Sequence, residues 1–342
     1  MDALPFDVPG PPYRRRQVRQ WVFKRFAGTF SEMHTLPAPL REELTARHGR
    51  VRPDPVTEQV SDSGGTVKAL FPDGYETVAM RYPGRLTVCV SSQAGCGLGC
   101  TFCATGQMGL IRNLAPFEIV QQALWAGERM GARPSNVVFM GMGEPLANYD
   151  PVLAAVRSLH DDVGISARRI TVSTVGLVPQ MRNLAHEDLP VRLALSLHAP
   201  DDETRSSLVP VNRRWPVSEC LQAAREFRDA HGRRVSIEYA LIADVNDRTW
   251  QAEQLASLLK GTDLHVNLIP LNPTPGYGVP GSTRVEAFAE ELKAGGVNVT
   301  VRDTRGRDID AACGQLATAR SGSAGDITRR PRTGQEVATK GR

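Results

Sequence analysis

The stretch TVCVSSQAGCGLGCTFCATGQMGL, residues 87–110, holds four of the six cysteines of a 342-residue chain. It begins inside an apolar, β-branched run, LTVCVS at 86–91, and continues into a loop in which Gly95, Gly97 and Gly99 alternate with the cysteines. Glycine lets a backbone turn tightly because it has no side chain. A strand that runs into such a loop predicts a metal or redox site where the strand ends.

In the chain that follows, short apolar strands alternate with amphipathic helices. Strands buried on both faces read as nearly continuous apolar runs, so the alternation predicts an α/β fold, either a (β/α) barrel or a doubly wound sheet. The further predicted strands are NVVFMG (136–141), RITVST (169–174), VRLALSL (191–197), VSIEYALI (235–242), HVNLIP (265–270) and VNVTVR (297–302). The predicted helices cover 116–131, 150–160, 178–186, 217–231, 248–260 and 284–294.

Two helices and a hairpin are predicted before this pattern begins. Helical spacing of apolar residues starts near residue 13, a second helix is expected over 39–47, and TVKALF (66–71) and ETVAMRY (76–82) flank a ProAspGly turn. We therefore expect four parts along the chain. These are a helical N-terminal domain (1–57), a hairpin connector (58–81), the barrel (82–308), and a loop with a polar tail (309–342).

The first predicted helix is strongly basic. Arginine suits phosphate because its planar fork donates several hydrogen bonds, so this helix is a candidate RNA-contacting surface. A solvated charged face is the alternative, and a biased genome is an alternative source of the arginine-rich composition. The basic residues are Arg14, Arg15, Arg16, Arg19, Lys24 and Arg25.

Composition argues against membrane and secreted classes. The chain has no run of 18 apolar residues and its first residues, MDALPFDVPGPPYRRR, contain no apolar signal segment, so we expect a cytoplasmic protein without a membrane partner. Cysteines in a reducing cytosol seldom form a structural disulfide framework. The cysteine cluster is therefore expected to bind metal or to be catalytic.

Cys96, Cys100 and Cys103 follow the spacing CxxxCxxC. Three thiolates from one loop can bind three irons of a four-iron cluster and leave the fourth iron open. Zinc is the rival, although structural zinc usually takes four ligands, often as two CxxC pairs, and no second pair exists in this sequence. Cys220 lies in a predicted helix and is expected to be a core residue.

Polar or small groups follow most predicted strands. They include GMGEP (141–145), Ser173 with Thr174, SerLeuHis (196–198) and Asn272. In β/α folds the carboxyl ends of the strands form the active-site face, so these groups are expected to meet on one rim.

Three segments carry a family resemblance: CVSSQAGCGLGCTFCATG, FMGMGEPLAN and DTRGRDIDAACGQL. The cysteine spacing resembles that of radical S-adenosylmethionine (radical SAM) enzymes, and the three segments together resemble the RlmN-type rRNA adenine-2-methyltransferases over about residues 15 to 317. The resemblance implies a radical-SAM partial (β/α)6-type barrel with a small N-terminal helical accessory domain.

The resemblance also implies cofactors and their ligands. One [4Fe-4S] cluster would be bound by Cys96, Cys100 and Cys103, and two molecules of S-adenosylmethionine would be used in each turnover. The implied cofactor contacts are Gly143, Glu144, Ser173, Ser196, Leu197, His198 and Asn272.

Three further residues receive roles from the resemblance. Cys313 would carry the methyl group, Glu76 would accept the proton of the adenine ring, and Cys89 would release the product by forming a transient disulfide with Cys313. Taken alone, Glu76 could equally be a surface residue of the hairpin, Cys89 a strand residue, and His198 a structural histidine.

The implied substrates are an adenosine of the peptidyl-transferase region of 23S rRNA and the adenosine 3' of the anticodon in some tRNAs. A monomer with an electron donor such as flavodoxin or ferredoxin is expected. Two alternatives stay open: a Cfr-type enzyme that methylates carbon 8, and a non-enzymatic RNA-binding protein with a structural metal site. GluPro at 144–145 and ThrArgGly at 304–306 favour carbon 2.

Overall fold

The computed structural model describes residues 4–274, 276–302 and 305–316. The expected tail after residue 317 and Thr304 of the ThrArgGly segment lie outside these residues. The strands are β1 (Thr57–Val60), β2 (Thr66–Phe71), β3 (Tyr75–Tyr82), β4 (Arg85–Cys89), β5 (Gln93–Gly95), β6 (Leu110–Asn113), β7 (Asn136–Phe139), β8 (Ile170–Thr174), β9 (Arg192–Ser196), β10 (Ser236–Leu241), β11 (His265–Pro270) and β12 (Asn298–Val301).

Ten of these strands form one sheet in the order β1-β2-β3-β4-β7-β8-β9-β10-β11-β12, while β5 and β6 form a separate hairpin. From β4 to β12 every neighbouring pair is parallel and follows chain order, and β1 to β3 add an antiparallel meander beside β4. Within the described residues β1 and β12 are the two sheet edges, so the barrel is open. The predicted α/β fold with a partial barrel is confirmed.

All six helices predicted between the strands are present, and most of their ends differ from the prediction by one or two residues. None of the described helices is both long and apolar enough to span a membrane. The helices are α1 (Pro12–Arg25), α2 (Ala38–His48), α3 (Ala104–Met108), α4 (Pro116–Arg129), α5 (Tyr149–Ser158), α6 (Val178–Ala185), α7 (Asp202–Leu208), α8 (Val217–His231), α9 (Thr249–Leu259) and α10 (Val285–Ala294).

The two faces of the parallel sheet differ in chemistry because successive strand side chains point in opposite directions. Ile170 and Val172 of β8 are fully or almost fully buried in the apolar core, and Tyr239 of β10 packs its ring 5.3 Å from that of Phe288 in α10. The alternate residues, among them Ser173, line the interior of the barrel. The barrel interior therefore combines a largely apolar lining with a few polar groups, which suits a ligand-binding cavity.

The N-terminal helices share one apolar cluster with the barrel. Phe23 of α1 contacts Phe117 of α4 edge to face at 6.4 Å, and Arg19 of α1 forms an ion pair with Asp162 in the turn after α5. The basic helix is thus docked on the barrel, and at least one of its arginines pairs within the protein. The domain boundaries expected from the sequence stay a prediction.

Residues 305–316 lie across the open side of the barrel. The Asp62 backbone N–H donates to Asp308 at 2.7 Å, and Lys68 of β2 donates to the Asp310 carbonyl at 3.3 Å. At its other end the Gly314 carbonyl accepts from the Ala104 N–H of α3 at 2.9 Å. This segment connects the antiparallel meander to the helix that follows the cysteine loop.

Candidate active site

The main cavity opens at the carboxyl ends of the parallel strands, where β/α folds place their active sites. Its volume is about 970 Å³, part of it open to solvent, and it brings together residues from the ends of six strands, the cysteine loop and the last described segment. Of the residues singled out from the sequence, it is lined by Cys96, Cys100, Cys103, Gly143, Glu144, Ser173, Ser196, His198, Asn272 and Cys313. Leu197, Glu76 and Cys89 do not line it.

The cysteine loop is folded against the β5–β6 hairpin. The Cys96 N–H donates to the Gly109 carbonyl at 2.9 Å, and the Cys103 N–H donates to the Cys100 carbonyl at 3.3 Å. Gly95 has a φ of +72°, and a Cβ there would lie 2.0 Å from the Gly109 carbonyl oxygen. Only glycine allows this approach, so the local sequence itself directs three thiols toward one cavity.

Burial keeps the three thiols protonated unless they bind a cation. Burial raises the pKa of Cys96 to about 11, and it raises the pKa values of Cys100 and Cys103 as well. Metal ligation requires thiolates, so a bound metal must supply the compensating positive charge.

A multi-iron cluster fits these thiols better than a single ion. Within the described ranges, no three histidine, cysteine or acidic side chains are grouped to hold a single metal ion. In a four-iron cluster each thiolate binds a different iron, so the ligands surround the cluster instead of converging on one point. The geometry thus gives no support to the zinc alternative.

The loop after β7 presents Glu144 to the cavity. Gly143 has a φ of +97°, and a Cβ there would lie 2.5 Å from the Gln93 Cβ. The Glu144 carboxylate accepts from the backbone N–H groups of Leu146 and Val175, both at 2.9 Å. Burial raises the pKa of Glu144 to about 7, although these hydrogen bonds act to lower it. A buried carboxylate held in this way is a suitable acceptor for a cationic amine.

Ser173 and Ser196 lie side by side at the ends of β8 and β9, with their hydroxyl oxygens 3.3 Å apart. Both line the cavity. Leu197, the next residue, points its side chain into the core and is fully buried. Any contact of Leu197 with a ligand would therefore use its backbone.

His198 is a fixed neutral imidazole. Its Nδ1 accepts from the Ala240 N–H at 3.0 Å, which leaves the proton on Nε2. Burial, and then the charge of Arg205, lower the pKa of His198 to about 3. The ring also packs edge to face on Phe102 at 4.8 Å, next to the last cysteine of the loop. His198 therefore has both a structural contact and a cavity-facing position.

Asn272 connects the sixth parallel strand to the last described segment. Its Nδ2 donates to the Cys313 carbonyl at 3.5 Å, and its Oδ1 accepts from Arg307 at 3.1 Å. It is 1% exposed, so these contacts fix the backbone that carries Cys313.

Cys89 and Cys313 meet in a second, smaller cavity beside the first. Cys89, the last residue of β4, is buried, and burial together with the nearby Cys313 raises its pKa to about 12. Cys313 lines both cavities, as does Arg302, which follows β12. The positive charge of Arg302 opposes the rise in the Cys89 pKa. The structure thus joins residues 224 positions apart in the sequence.

Glu76 lies on β3, outside both cavities, and is only 3% exposed. The interpretation of Glu76 as a surface residue is therefore wrong. Its carboxylate is 3.6 Å from the Lys68 ammonium. Val78, two residues along the strand, pairs with Cys89, so Glu76 lies on the same face of the sheet as that cysteine.

Sequence reasoning missed three charged residues beside the cavity. Arg302 is the last residue of a predicted strand, a position that should have placed it on the active-site rim. Glu238 of β10 lines the cavity and accepts from Asn267 at 2.8 Å. Arg205 lies on α7, whose sequence shows no apolar spacing that would predict a helix. Cys220, in contrast, is fully buried, as predicted.

Comparison with known proteins agrees with this geometry. The family model described as "Radical SAM superfamily" matches residues 90–256. A curated protein of Salinispora tropica named "Probable dual-specificity RNA methyltransferase RlmN" is 56% identical over 327 residues, which cover 90% of this chain and 88% of the relative. A Thermobifida fusca protein of the same name is 54% identical over 90% of this chain and 89% of its own length.

A solved structure shares the fold over almost the whole chain. The crystal structure of a radical SAM methyltransferase from Sphaerobacter thermophilus superimposes with a TM-score of 0.86 at 50% identity, covering 90% of this chain and 93% of the other.

Proposed function

Because this chain belongs to the RlmN family of radical SAM methyltransferases, we propose that it methylates carbon 2 of adenine in RNA through Cys313 as methyl carrier. The observation that supports this most directly is the shared position of two distant cysteines. Cys89 and Cys313 line one small cavity, and Cys313 also lines the larger cavity that holds the three-cysteine loop. A protein with a merely structural metal site would have no use for this second pair.

The family implies a [4Fe-4S] cluster and S-adenosylmethionine, and the cavity suits both. Cys96, Cys100 and Cys103 would hold the cluster, and the Glu144 carboxylate would accept the amine of the cofactor. Ser173, Ser196, His198 and Asn272 would line the rest of its site. When bound, these groups supply a reducing electron, a methyl donor and a 5'-deoxyadenosyl radical.

Cys313 is suited to carry a methyl group because it lines the proposed cofactor cavity and also the smaller cavity that Cys89 lines. Arg302 lines both cavities and places a positive charge beside both sulfurs. The thiolate is the nucleophilic form of cysteine, and Arg302 would balance its negative charge.

Two residues complete the proposed cycle after the carbon bridge to the base has formed. Glu76 accepts the proton of the modified ring carbon, and the adduct radical also loses one electron, for which the oxidised cluster would be the acceptor. Cys89 Sγ then attacks Cys313 Sγ, so that an S–S bond forms, the S–C bond breaks, and the released carbon takes a proton. A two-electron reductant must reopen the disulfide before the next turnover.

The substrates we propose are an adenosine of the peptidyl-transferase region of 23S rRNA and the adenosine 3' of the anticodon in some tRNAs. Exposed Arg16, Lys24 and Arg25 of α1 are available for phosphate contacts. A flavodoxin or ferredoxin would supply electrons, and the enzyme would act as a monomer in the cytoplasm.

Anaerobic methylation of rRNA and tRNA fragments with labelled S-adenosylmethionine tests the proposal. We expect wild type to form 2-methyladenosine, Cys313→Ala to cleave the cofactor without methylating RNA, and Cys89→Ala to accumulate a covalent RNA–protein adduct. Cys220→Ala is the matched control and should behave as wild type. A Cys313→Ala enzyme that still methylates RNA would exclude the carrier role.

Mass spectrometry of nucleosides distinguishes the two ring positions. Ribosomal RNA from a deletion strain should lack 2-methyladenosine. Loss of 8-methyladenosine instead would assign the chain to carbon-8 chemistry.

A further inference from the structure

Arg205 is the largest fully buried side chain among the described residues and has 0% exposure. It lies on α7, directly behind the wall of the main cavity. Its guanidinium binds backbone carbonyls that follow β8 and end β9. It donates to Val175 O at 2.6 Å, Leu197 O at 2.9 Å, Asn212 Oδ1 at 2.7 Å, and, at longer range, to Ser196 O and Trp215 O at 3.4 Å and Cys220 Sγ at 3.6 Å.

None of these acceptors carries a formal negative charge, although the carboxylate of Asp202 on the same helix acts on Arg205 through space. The Cys220 thiol is held neutral because burial raises its pKa, although Arg205 opposes that rise. Another buried arginine, Arg52, offers a contrast, since it forms an ion pair with the Glu128 carboxylate. A buried cation normally requires a paired anion, because desolvation of an unpaired charge is costly.

The charge of Arg205 reaches the cavity. It lowers the pKa of His198, a residue that lines the cavity. Val175 and Ser196, whose carbonyls it binds, both line the cavity. Arg205 therefore places a fixed positive charge one layer behind the site of the three cysteines, in a region where water does not screen it.

We propose that Arg205 is a positioning residue whose buried positive charge raises the reduction potential of the iron-sulfur cluster at Cys96, Cys100 and Cys103. This rests on the proposed function, which provides the cluster. Three thiolates and the cluster form an anionic group that becomes one unit more negative when it gains an electron. A nearby buried cation stabilises the reduced state more than the oxidised state, and net charge is one of the determinants of cluster potential.

Two matched substitutions change the charge at Cys220 without removing the guanidinium. Cys220→Asp places a carboxylate beside Arg205 and compensates its charge, whereas Cys220→Asn has the same size and no charge. In anaerobic dithionite titrations of the cluster-loaded enzyme, followed by electron paramagnetic resonance, we expect Cys220→Asp to lower the equilibrium constant for one-electron reduction about tenfold relative to Cys220→Asn, which corresponds to about 59 mV.

A second pair keeps the test decisive if the aspartate variant does not fold. Arg205→Met removes the charge and Arg205→Lys retains it, while both lose most of the hydrogen bonds. We expect the Met variant to have the lower potential. Arg52→Met should reduce thermal stability and leave the potential unchanged, since neither of its partners, Phe26 and Glu128, lines the cavity.

Equal potentials within both matched pairs would overturn the proposal and leave Arg205 a purely structural residue. Failure of the proposed function looks different. In that case the wild-type protein would hold no reducible cluster and would give no signal to titrate.

Discussion

Replacement of His198 by asparagine should make the folded chain more resistant to acid. The His198 pKa is about 3 in the folded chain, compared with an ordinary value of 6.5, because burial and the nearby Arg205 disfavour the imidazolium. The unfolded chain therefore binds a proton at this residue below pH 6.5 while the folded chain does not. This contribution to stability is complete above pH 6.5 and is lost as the pH falls below it.

The size of the effect follows from the two pKa values. Between pH 7.5 and pH 5 the free energy of unfolding should fall by about 2 kcal/mol through His198 alone, at 1.36 kcal/mol for each pKa unit. Asparagine is the suitable replacement because His198 has a φ of +63°, which asparagine tolerates, and because its side-chain oxygen can accept the Ala240 N–H.

Urea unfolding of the reduced, cluster-free chain at several pH values measures this difference. Contributions of other groups cancel between wild type and His198→Asn. The difference between their free energies of unfolding should therefore change by about 2 kcal/mol over this pH range. Curves that stay parallel would contradict the reasoning. Histidine NMR gives an independent check, since the signal lost in the variant should not titrate in the wild type above pH 5.

Three further predictions concern packing at the site and elsewhere in the fold. Gly143→Ala should abolish cofactor binding measured by calorimetry, because the added Cβ would lie 2.5 Å from the Gln93 side chain. Gly84 also has a positive φ but lies in open space, so Gly84→Ala should cost only about 1–2 kcal/mol of stability. Tyr75→Phe should lower the free energy of unfolding by about 1–3 kcal/mol, because it leaves a buried glutamine amide without its partner. Asp162→Asn should increase hydrogen exchange in α1 by removing the ion pair with Arg19, and unchanged exchange there would show that apolar packing alone docks the helix.

The sequence predicted the parallel part of the fold because the longer strands and helices between residues 86 and 302 each have their own period of apolar residues. The short elements were missed for a physical reason. Helix α3 has five residues and α7 has seven, so neither shows a full amphipathic repeat, and both depend on contacts with distant segments. The hairpin β5–β6 was missed too, since exposed Leu110 and Ile111 give it no alternation.

Prediction of the site succeeded where a residue follows a strand. Ser173, Ser196 and Asn272 were expected on one rim, and the structure places all three there. It failed for Arg205 because a fully buried arginine is rare and nothing in its local sequence indicates burial. Glu76 shows a different limit, since only the pairing of its strand with β4 reveals which face it occupies.

The segment 305–316 has a consequence for the order of events during protein synthesis. The three cysteines of the loop lie in the first third of the chain, whereas the segment that carries Cys313 is the last one described. A nascent chain therefore exposes the proposed cluster ligands long before it contains the proposed methyl carrier. Until translation reaches residue 313, the growing polypeptide lacks the cysteine that is proposed to take up the methyl group and to form the disulfide with Cys89.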